Sequence, residues 1–298
     1  GPWLVLQALT AGADVRKAQL AADAAELVAA YTPVRGVYER SDVEVRAKEG
    51  LEQATGVLWG EAPPEELVVA EPGPGGATIR MAVDVRTGHK TGAYLDQADN
   101  RRRVAAWCAG AEVLNAFSYT GGFGLHALAA GATRVLNVDS SADALDAAAA
   151  NAARAGRAVV RADDPRAPEL QDAPFGCCEG NVFGVLRALR EAERRFDAIV
   201  LDPPKFVHQA GQVERASRAY KDLALVSLQI LRPGGILATF SCSGLLSADL
   251  FQKIAFGAAL DAERDVAIVE TLGHPPDHPV LLSFPEGAYL KGLVCRAR

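Results

Sequence analysis

From residue 112 onward, short apolar runs alternate with stretches whose apolar residues recur at helical spacing. The runs predict strands over 112–117, 134–138, 196–201, 235–240, 265–271 and 289–296, with a weaker one at 175–179. Between them the pattern predicts helices over 122–130, 142–155, 182–194, 214–231 and 247–261, the second of them almost polyalanine. Strands separated by helix-length segments build βαβ units, and these imply a parallel, doubly wound α/β sheet. Residues 156–174, rich in Asp, Pro and Arg, fit neither period and are expected to form a surface loop.

Ahead of this region the pattern is choppier. A strand is predicted over 3–10, a helix over 13–31 with Asp14 near its start and Pro33 past its end, and a second strand over 34–38. A charged segment, 39–46, follows. Short strands at 57–60, 66–69 and 77–85 are broken by Pro63-Pro64 and by Pro72-Gly73-Pro74-Gly75-Gly76, which is turn chemistry and favours β-hairpins. The expected organisation is a small α/β module over 1–80, then a larger domain over 81–298. A chain of 298 residues exceeds the usual single domain, which agrees with two.

Composition narrows the class. With 49% hydrophobic and 23% charged residues the chain reads as an ordinary globular protein, and no apolar run reaches the roughly 18 residues of a membrane helix. The five cysteines are odd in number and lack zinc-type spacing, so a reduced, cytoplasmic setting and no metal site are expected. A net charge of −6 argues against non-specific coating of nucleic acid, yet leaves room for a local basic patch. Gly1-Pro2 resembles a residue of protease cleavage, and Trp3 starts a strand without a lead-in, so an N-terminal portion of the natural protein is expected to be missing.

Chemistry concentrates where predicted strands end. Ligands of open parallel sheets bind beyond the carboxyl ends of the strands. The first strand of the larger domain runs into Phe117-Ser118-Tyr119-Thr120-Gly121-Gly122, a turn whose glycines let backbone approach a ligand. The spacing is not G-x-G-x-x-G. Asp139 ends the next strand, where an acid accepts ribose hydroxyls or, alternatively, caps the following helix. Strand 196–201 ends in Asp202-Pro203-Pro204-Lys205, and strand 235–240 ends in Ser241-Cys242-Ser243-Gly244. A carboxylate and a thiol on one rim suit covalent chemistry on a planar, hydrogen-bonding substrate such as a nucleobase. The alternative for Cys242 is a small buried hydrophobe.

Taken together, residues 115–122, Asp139, Asp202-Pro203-Pro204-Lys205 and Ser241-Cys242-Ser243-Gly244 resemble a Rossmann-like class I S-adenosylmethionine methyltransferase, with a mostly parallel sheet and a reversed final strand. More closely, the chain is similar to the bacterial large-subunit ribosomal RNA cytosine-C5 methyltransferases. The likeness extends through 87–97, Ala219-Tyr220-Lys221-Asp222, Asp277-His278-Pro279-Val280 and Tyr289-Leu290-Lys291-Gly292, and into the small module through Arg40-Ser41-Asp42 and Lys48-Glu49-Gly50. Members of that family usually carry an N-terminal PUA RNA-binding domain, which is not visible in this sequence.

The resemblance implies S-adenosylmethionine as cofactor and large-subunit ribosomal RNA as partner, with no membrane, and leaves a homodimer open. It implies that Phe117, Ser118 and Gly121 line the methionine and adenosine moieties, that Asp139 holds the ribose, and that Gln97 reaches the methionine end. Asp202 would lie between cofactor and base. Asn181 stands where the family usually has an acid for the adenine amino group; its carbonyl can accept the same bond, and Asp163 or Asp164 could serve instead. Cys242 would add to C6 of cytosine, and Lys205 would lower the thiol pKa or meet a phosphate. His89, His278 and Asp277 are open as the base that removes the C5 proton. Arg101-Arg102-Arg103, Lys90, Lys205, Arg215, Arg218 and Lys221 form either an RNA-facing surface or a solvated one. Two other readings remain: methylation of a base nitrogen through Asp202-Pro203-Pro204 without a nucleophile, and a non-catalytic RNA-binding factor.

Overall fold

The computed structural model describes residues 1–88, 92–207 and 209–298. His89 and Lys90, named above as a base and as part of a basic surface, lie outside the described residues. The chain divides into two compact units, Gly1–Val69 with Met81–Tyr94, and Ala70–Arg80 with Leu95–Arg298.

In the smaller unit, β1 (Trp3–Leu6) pairs parallel with β2 (Gly36–Ser41), which pairs antiparallel with β3 (Ala54–Gly60). Helix α1 (Ala11–Ala29) connects the first two; the Thr10 hydroxyl accepts the Ala13 N–H at its start, and Ala21 and Ala25 pack on Val37. Strand β2 runs past the predicted 34–38 into the first residues of the charged segment. All six of its residues are buried, including Glu39 and Arg40. Arg40 is accommodated because its guanidinium donates to Asp42, to the Val85 carbonyl (3.0 Å) and to the Gly88 carbonyl (2.8 Å), leaving little of its charge unpartnered. A two-stranded ribbon, β4 (Leu67–Pro72) and β5 (Thr78–Val83), forms across the Pro-Gly turn.

The larger unit carries an eight-stranded sheet. After α2 (Ala98–Ala105) come β6 (Glu112–Ala116), α3 (Gly122–Ala129), β7 (Arg134–Asp139), α4 (Ala142–Arg154), β8 (Val159–Arg161), α5 (Pro168–Asp172), β9 (Phe175–Glu179) and α6 (Val182–Glu191). Then follow β10 (Phe196–Leu201), α7 (Val213–Gln229), β11 (Leu231–Ser241), α8 (Ala248–Asp261), β12 (Val266–Leu272) and β13 (Lys291–Ala297). The order is β12-β13-β11-β10-β6-β7-β9-β8, with β13 alone antiparallel to both neighbours. Strand β6 is buried throughout and β10 nearly so, as expected of a parallel sheet covered on both faces. Leu186 and Leu189 of α6, Leu223 and Leu228 of α7, and Phe251 of α8 pack with Leu114, Ile199 and Leu237 in the main core.

Two expectations need correction, and one helix was not foreseen. Residues 156–174 are not an irregular loop: β8 adds an edge strand parallel to β9, and α5 follows it. Three strand residues between charged neighbours are too few to show a period. Helix α2 lies in a segment whose arginines mask its buried face of Asn100, Arg101, Val104 and Ala105. Strand β11 starts before the Pro-Gly-Gly turn; Leu231 already pairs with Phe196, and the register shifts there, with Gly234 at φ 79°.

Candidate active site

At the carboxyl end of β6 the chain turns sharply into α3. Phe117, Tyr119 and Gly121 take φ of 59°, 47° and 78°, a conformation that costs about 1–3 kcal/mol at a non-glycine residue. Hydrogen bonds hold the turn: Ser118 N–H to the Val138 carbonyl (3.0 Å), Gly121 N–H to the Ser118 carbonyl (2.9 Å) and Tyr119 N–H to Asp139 Oδ2 (2.8 Å). Gly121 is required on two grounds, since a Cβ there would also stand 3.0 Å from Ala148 Cβ and 3.1 Å from the Phe175 ring. The Ser118 hydroxyl is buried and has no hydrogen-bond partner among the described residues. A buried hydroxyl is seldom left so, and a polar ligand at this turn would satisfy it.

Asp139, at the end of β7, does not cap α4. Ser141 does, accepting the Ala144 N–H at 3.2 Å. The Asp139 carboxylate instead takes the N–H groups of Tyr119 and Ser141, one on each oxygen, and each oxygen keeps a lone pair for a hydroxyl. Beside it opens a cavity of about 430 Å³ lined by Ser140, Asp163, Glu179, Gly180 and Asn181. Asn181 caps α6, its Oδ1 accepting from Phe183 (3.1 Å) and Gly184 (3.4 Å). Asp164 is turned to the Arg166 guanidinium, which holds its carboxyl below the usual range. Of the three residues considered for the adenine amine, Asp163 is the carboxylate that lines this cavity.

Strands β6, β10 and β11 are neighbours with Ala116, Leu201 and Thr239 in register, so the residues that follow them share one rim. Asp202 accepts from Gln97 Nε2 at 2.9 Å; Gln97 in turn accepts from Asn100 at 2.7 Å, and Asn100 also donates to the Gly273 carbonyl at 3.0 Å. Gln97 thus reaches the carboxylate of the Asp-Pro-Pro loop. Burial pushes the Asp202 carboxyl up to about 7, against the Gln97 hydrogen bond and with the help of nearby Asp96.

Cys242 is half-buried, whereas Cys108, Cys177, Cys178 and Cys295 are buried. Burial lifts those four thiols to about 12 for Cys108 and about 11 for the others. The Cys242 loop is tied down: Ser243 Oγ donates to the Val207 carbonyl (3.3 Å), and Lys291 Nζ donates to the carbonyls of Ser243 (2.5 Å) and Leu246 (2.7 Å). Burial lowers the Lys291 pKa, and the charge of Cys242 acts against that shift. Lys205 is exposed on the far side of the two prolines. Tyr220 bonds Ser241 at 3.0 Å, and its hydroxyl is raised to about 12, chiefly by burial. Phe117 and Phe183 meet Phe206 at 6.4 and 6.3 Å, and Phe206 meets Tyr220 at 5.0 Å, forming an apolar wall.

Several basic residues do not form a free surface. Arg101 is buried, its guanidinium bonded twice to Glu71 (2.9 and 2.5 Å). Arg102 pairs with Asp99, Arg103 with Glu270, Arg218 with Glu214 and Lys221 with Asp261. Lys205 and Arg215 are exposed. Sequence reasoning missed the roles of Lys291, Tyr289 and Asp96. They were visible only as parts of longer motifs, because their partners lie far along the chain.

A sheet of this order, with a glycine turn, a ribose-suited acid and a reactive rim, defines a class I methyltransferase fold. The family model for S-adenosylmethionine-dependent methyltransferases matches residues 58–296, and the chain belongs to that family. It is 47% identical over 296 residues to Ribosomal RNA large subunit methyltransferase I of Aeromonas salmonicida (strain A449), covering 99% of this chain and 69% of that protein. The protein of the same name from Shewanella amazonensis is 48% identical over 293 residues, covering 98% and 68%. A methyltransferase solved in complex with SAH shares the fold at a TM-score of 0.77 with 22% identity, covering 99% of this chain and 70% of that one. So does a tRNA m1G37 methyltransferase of M. jannaschii, at 0.58 and 16%, covering 100% and 70%. The cofactor is S-adenosylmethionine. The orphaned Ser118 hydroxyl and the spare lone pairs of Asp139 fit it.

Proposed function

We propose that the protein methylates C5 of a cytosine in large-subunit ribosomal RNA, with Cys242 as a covalent nucleophile. The observation that carries this reading is the half-buried Cys242 just past β11, on the same rim as Asp202 at the end of the adjacent β10, in a loop whose carbonyls are held by Lys291. The names of its relatives support RNA of the large subunit as substrate.

Bound S-adenosylmethionine supplies an electrophilic methyl group. Asp139 and Ser118 hold its polar groups, Phe117 and Gly121 shape the turn against it, and Asp163 accepts from the adenine amine, with Asn181 setting the start of α6. C5 of cytosine is a weak nucleophile, and addition of the Cys242 thiolate to C6 pushes electron density onto it. Lys291 favours the thiolate by its charge. Asp202, near its half-protonated point at neutral pH, donates to N3 and draws electrons toward that edge of the ring. Lys205, exposed beyond Pro204, meets an RNA phosphate. The module over 1–80 contributes further RNA contacts, and the work takes place in the cytoplasm. Among the described residues, no helix is long and apolar enough to cross a membrane.

The test is trapping. RNA carrying 5-fluorocytosine at the target should form a denaturation-resistant band with the protein, dependent on both S-adenosylmethionine and Cys242, because fluorine at C5 cannot leave as a proton. Methyl transfer that survives Cys242→Ala would overturn the covalent reading in favour of base-nitrogen methylation through Asp202.

A further inference from the structure

Once C5 is methylated, its proton must leave before the enzyme can release the base, and most groups around Cys242 are unfit to take it. His274 Nε2 already accepts the Leu290 N–H at 3.0 Å, so in the neutral ring Nδ1 carries the proton and no lone pair remains. Lys291 is a cation committed to two carbonyls, and Tyr220 stays a phenol, bonded to Ser241. His278 sits in an exposed loop, bonded to Asp277 at 3.1 Å. Asp202 is held by Gln97 and, in the covalent reading, occupied by the ring edge.

Asp96 differs from all of these. It precedes Gln97 in the short turn Leu95–Gln97, so the element that orients Asp202 also delivers this second carboxylate to the rim. Its Oδ2 accepts the Tyr289 hydroxyl at 2.8 Å, and its Oδ1 takes no hydrogen bond among the described residues. Tyr289 also borders the thiol loop: Ser241 pairs with Lys291, two residues on, and a Cβ on Gly244 would stand 3.9 Å from Tyr289 Cβ. Its hydroxyl is raised by burial, then by Asp96, and also by the charge of Cys242. The His274 ring packs edge-on against Tyr289 at 4.5 Å and fixes the phenol. Asp96, Tyr289 and Cys242 are each only partly buried, so the carboxylate and the thiol are both open to a substrate.

We propose that Asp96 is the general base that removes the C5 proton, with Tyr289 as the positioning residue that holds it. The inference rests on the covalent reading above. In this step the C5–H bond breaks and the proton passes to Asp96 Oδ1. The electron pair forms the C5–C6 double bond, the C6–Sγ bond breaks, and Cys242 departs as a thiolate. Atoms and charge balance without a further reactant.

The experiment uses ordinary cytosine RNA and methyl-labelled S-adenosylmethionine. Asp96→Asn should still add its thiol and accept the methyl group but fail to eliminate. A labelled, denaturation-resistant protein–RNA adduct should accumulate, with release slowed about 100-fold or more, where wild type clears it. Tyr289→Phe should accumulate the same adduct with release slowed about tenfold. Wild-type turnover in Asp96→Asn, or a block before any adduct in a variant that still binds cofactor by calorimetry, overturns the assignment. If Asp96→Asn does not fold, absence of labelled adduct in Tyr289→Phe overturns it. Wild type with 5-fluorocytosine RNA is run in parallel. No adduct there removes the covalent reading together with this step, whereas an adduct there and none in Asp96→Asn removes Asp96 alone.

Discussion

The rim of the larger unit has two halves built on different principles. Around the ends of β6, β7 and β9, the working parts are backbone: a left-handed turn, a glycine without room for a Cβ, and one carboxylate spent on two N–H groups. Around the ends of β10 and β11 and the start of β13 they are side chains whose pKa burial shifts, with Asp202, Tyr220 and Tyr289 raised and Lys291 lowered. Shape recognition of a fixed cofactor needs rigid geometry. Proton and electron movement on a base needs a group poised between charged and neutral, and burial brings Asp202 to that point.

The sharpest way to break that division is a pair of substitutions, one in each half. Cys242→Ala should lower methyl transfer by several orders of magnitude while S-adenosylmethionine affinity stays within about twofold in calorimetry. Asp139→Ala should do the reverse at the level of binding, weakening the cofactor tenfold or more, since charge-assisted hydrogen bonds contribute about 1.5–3 kcal/mol each. Equal loss of affinity in both variants would mean that the halves are not separable.

A smaller effect comes from Asp202. Its folded pKa of about 7 lies above the ordinary 3.8, so the fold favours the protonated form. As pH rises from about 4 to 7 the unfolded chain ionises while the native carboxyl holds its proton, and stability falls; above 7 the full penalty is present. Asp202→Asn should therefore be more resistant to denaturant than wild type at pH 8, by on the order of 2–3 kcal/mol, with the gap closing toward pH 4. A pH-independent gap would place Asp202 in an ordinary, solvated setting.

The smallest effect sharpens the cofactor half. Asp163→Ala should weaken S-adenosylmethionine by about three- to tenfold, the contribution of one hydrogen bond. Asn181→Ala should cost about 1 kcal/mol of stability, through the lost cap of α6, with affinity within about twofold. The opposite pattern would return the adenine to Asn181.

The two halves also differed in how far they could be read from sequence. The cofactor half is local: the strand, turn and helix around Phe117–Gly121 are contiguous, and Asp139 stands where the following strand ends, so periodicity and turn chemistry located both. The other half is assembled over long separations. Gln97 meets Asp202 across 105 positions and Tyr289 meets Asp96 across 193, and no local pattern encodes such pairs. The sequence showed Cys242 and Asp202 as strand-end residues but not the lysine that fastens the thiol loop, and it placed Arg101 on the surface when it is buried against Glu71. Edge strand β8 escaped because an edge needs only one good neighbour, and three residues suffice.

The antiparallel β13 has a consequence in time. It is late in the chain yet lies between β11 and β12 in the sheet, and its first residue, Lys291, fastens the thiol loop made 48 positions earlier. A chain emerging in sequence order thus carries Cys242 before Lys291 can fasten its loop, with the Ser243–Val207 bond available from earlier residues. The sheet can be completed only by inserting a strand between two that precede it, which is the kind of non-local closure that slows folding. Until that insertion, β11 and β12 each present an unpaired edge, and Cys242 lies just past one of them, so closing the sheet and fixing the thiol loop are one event.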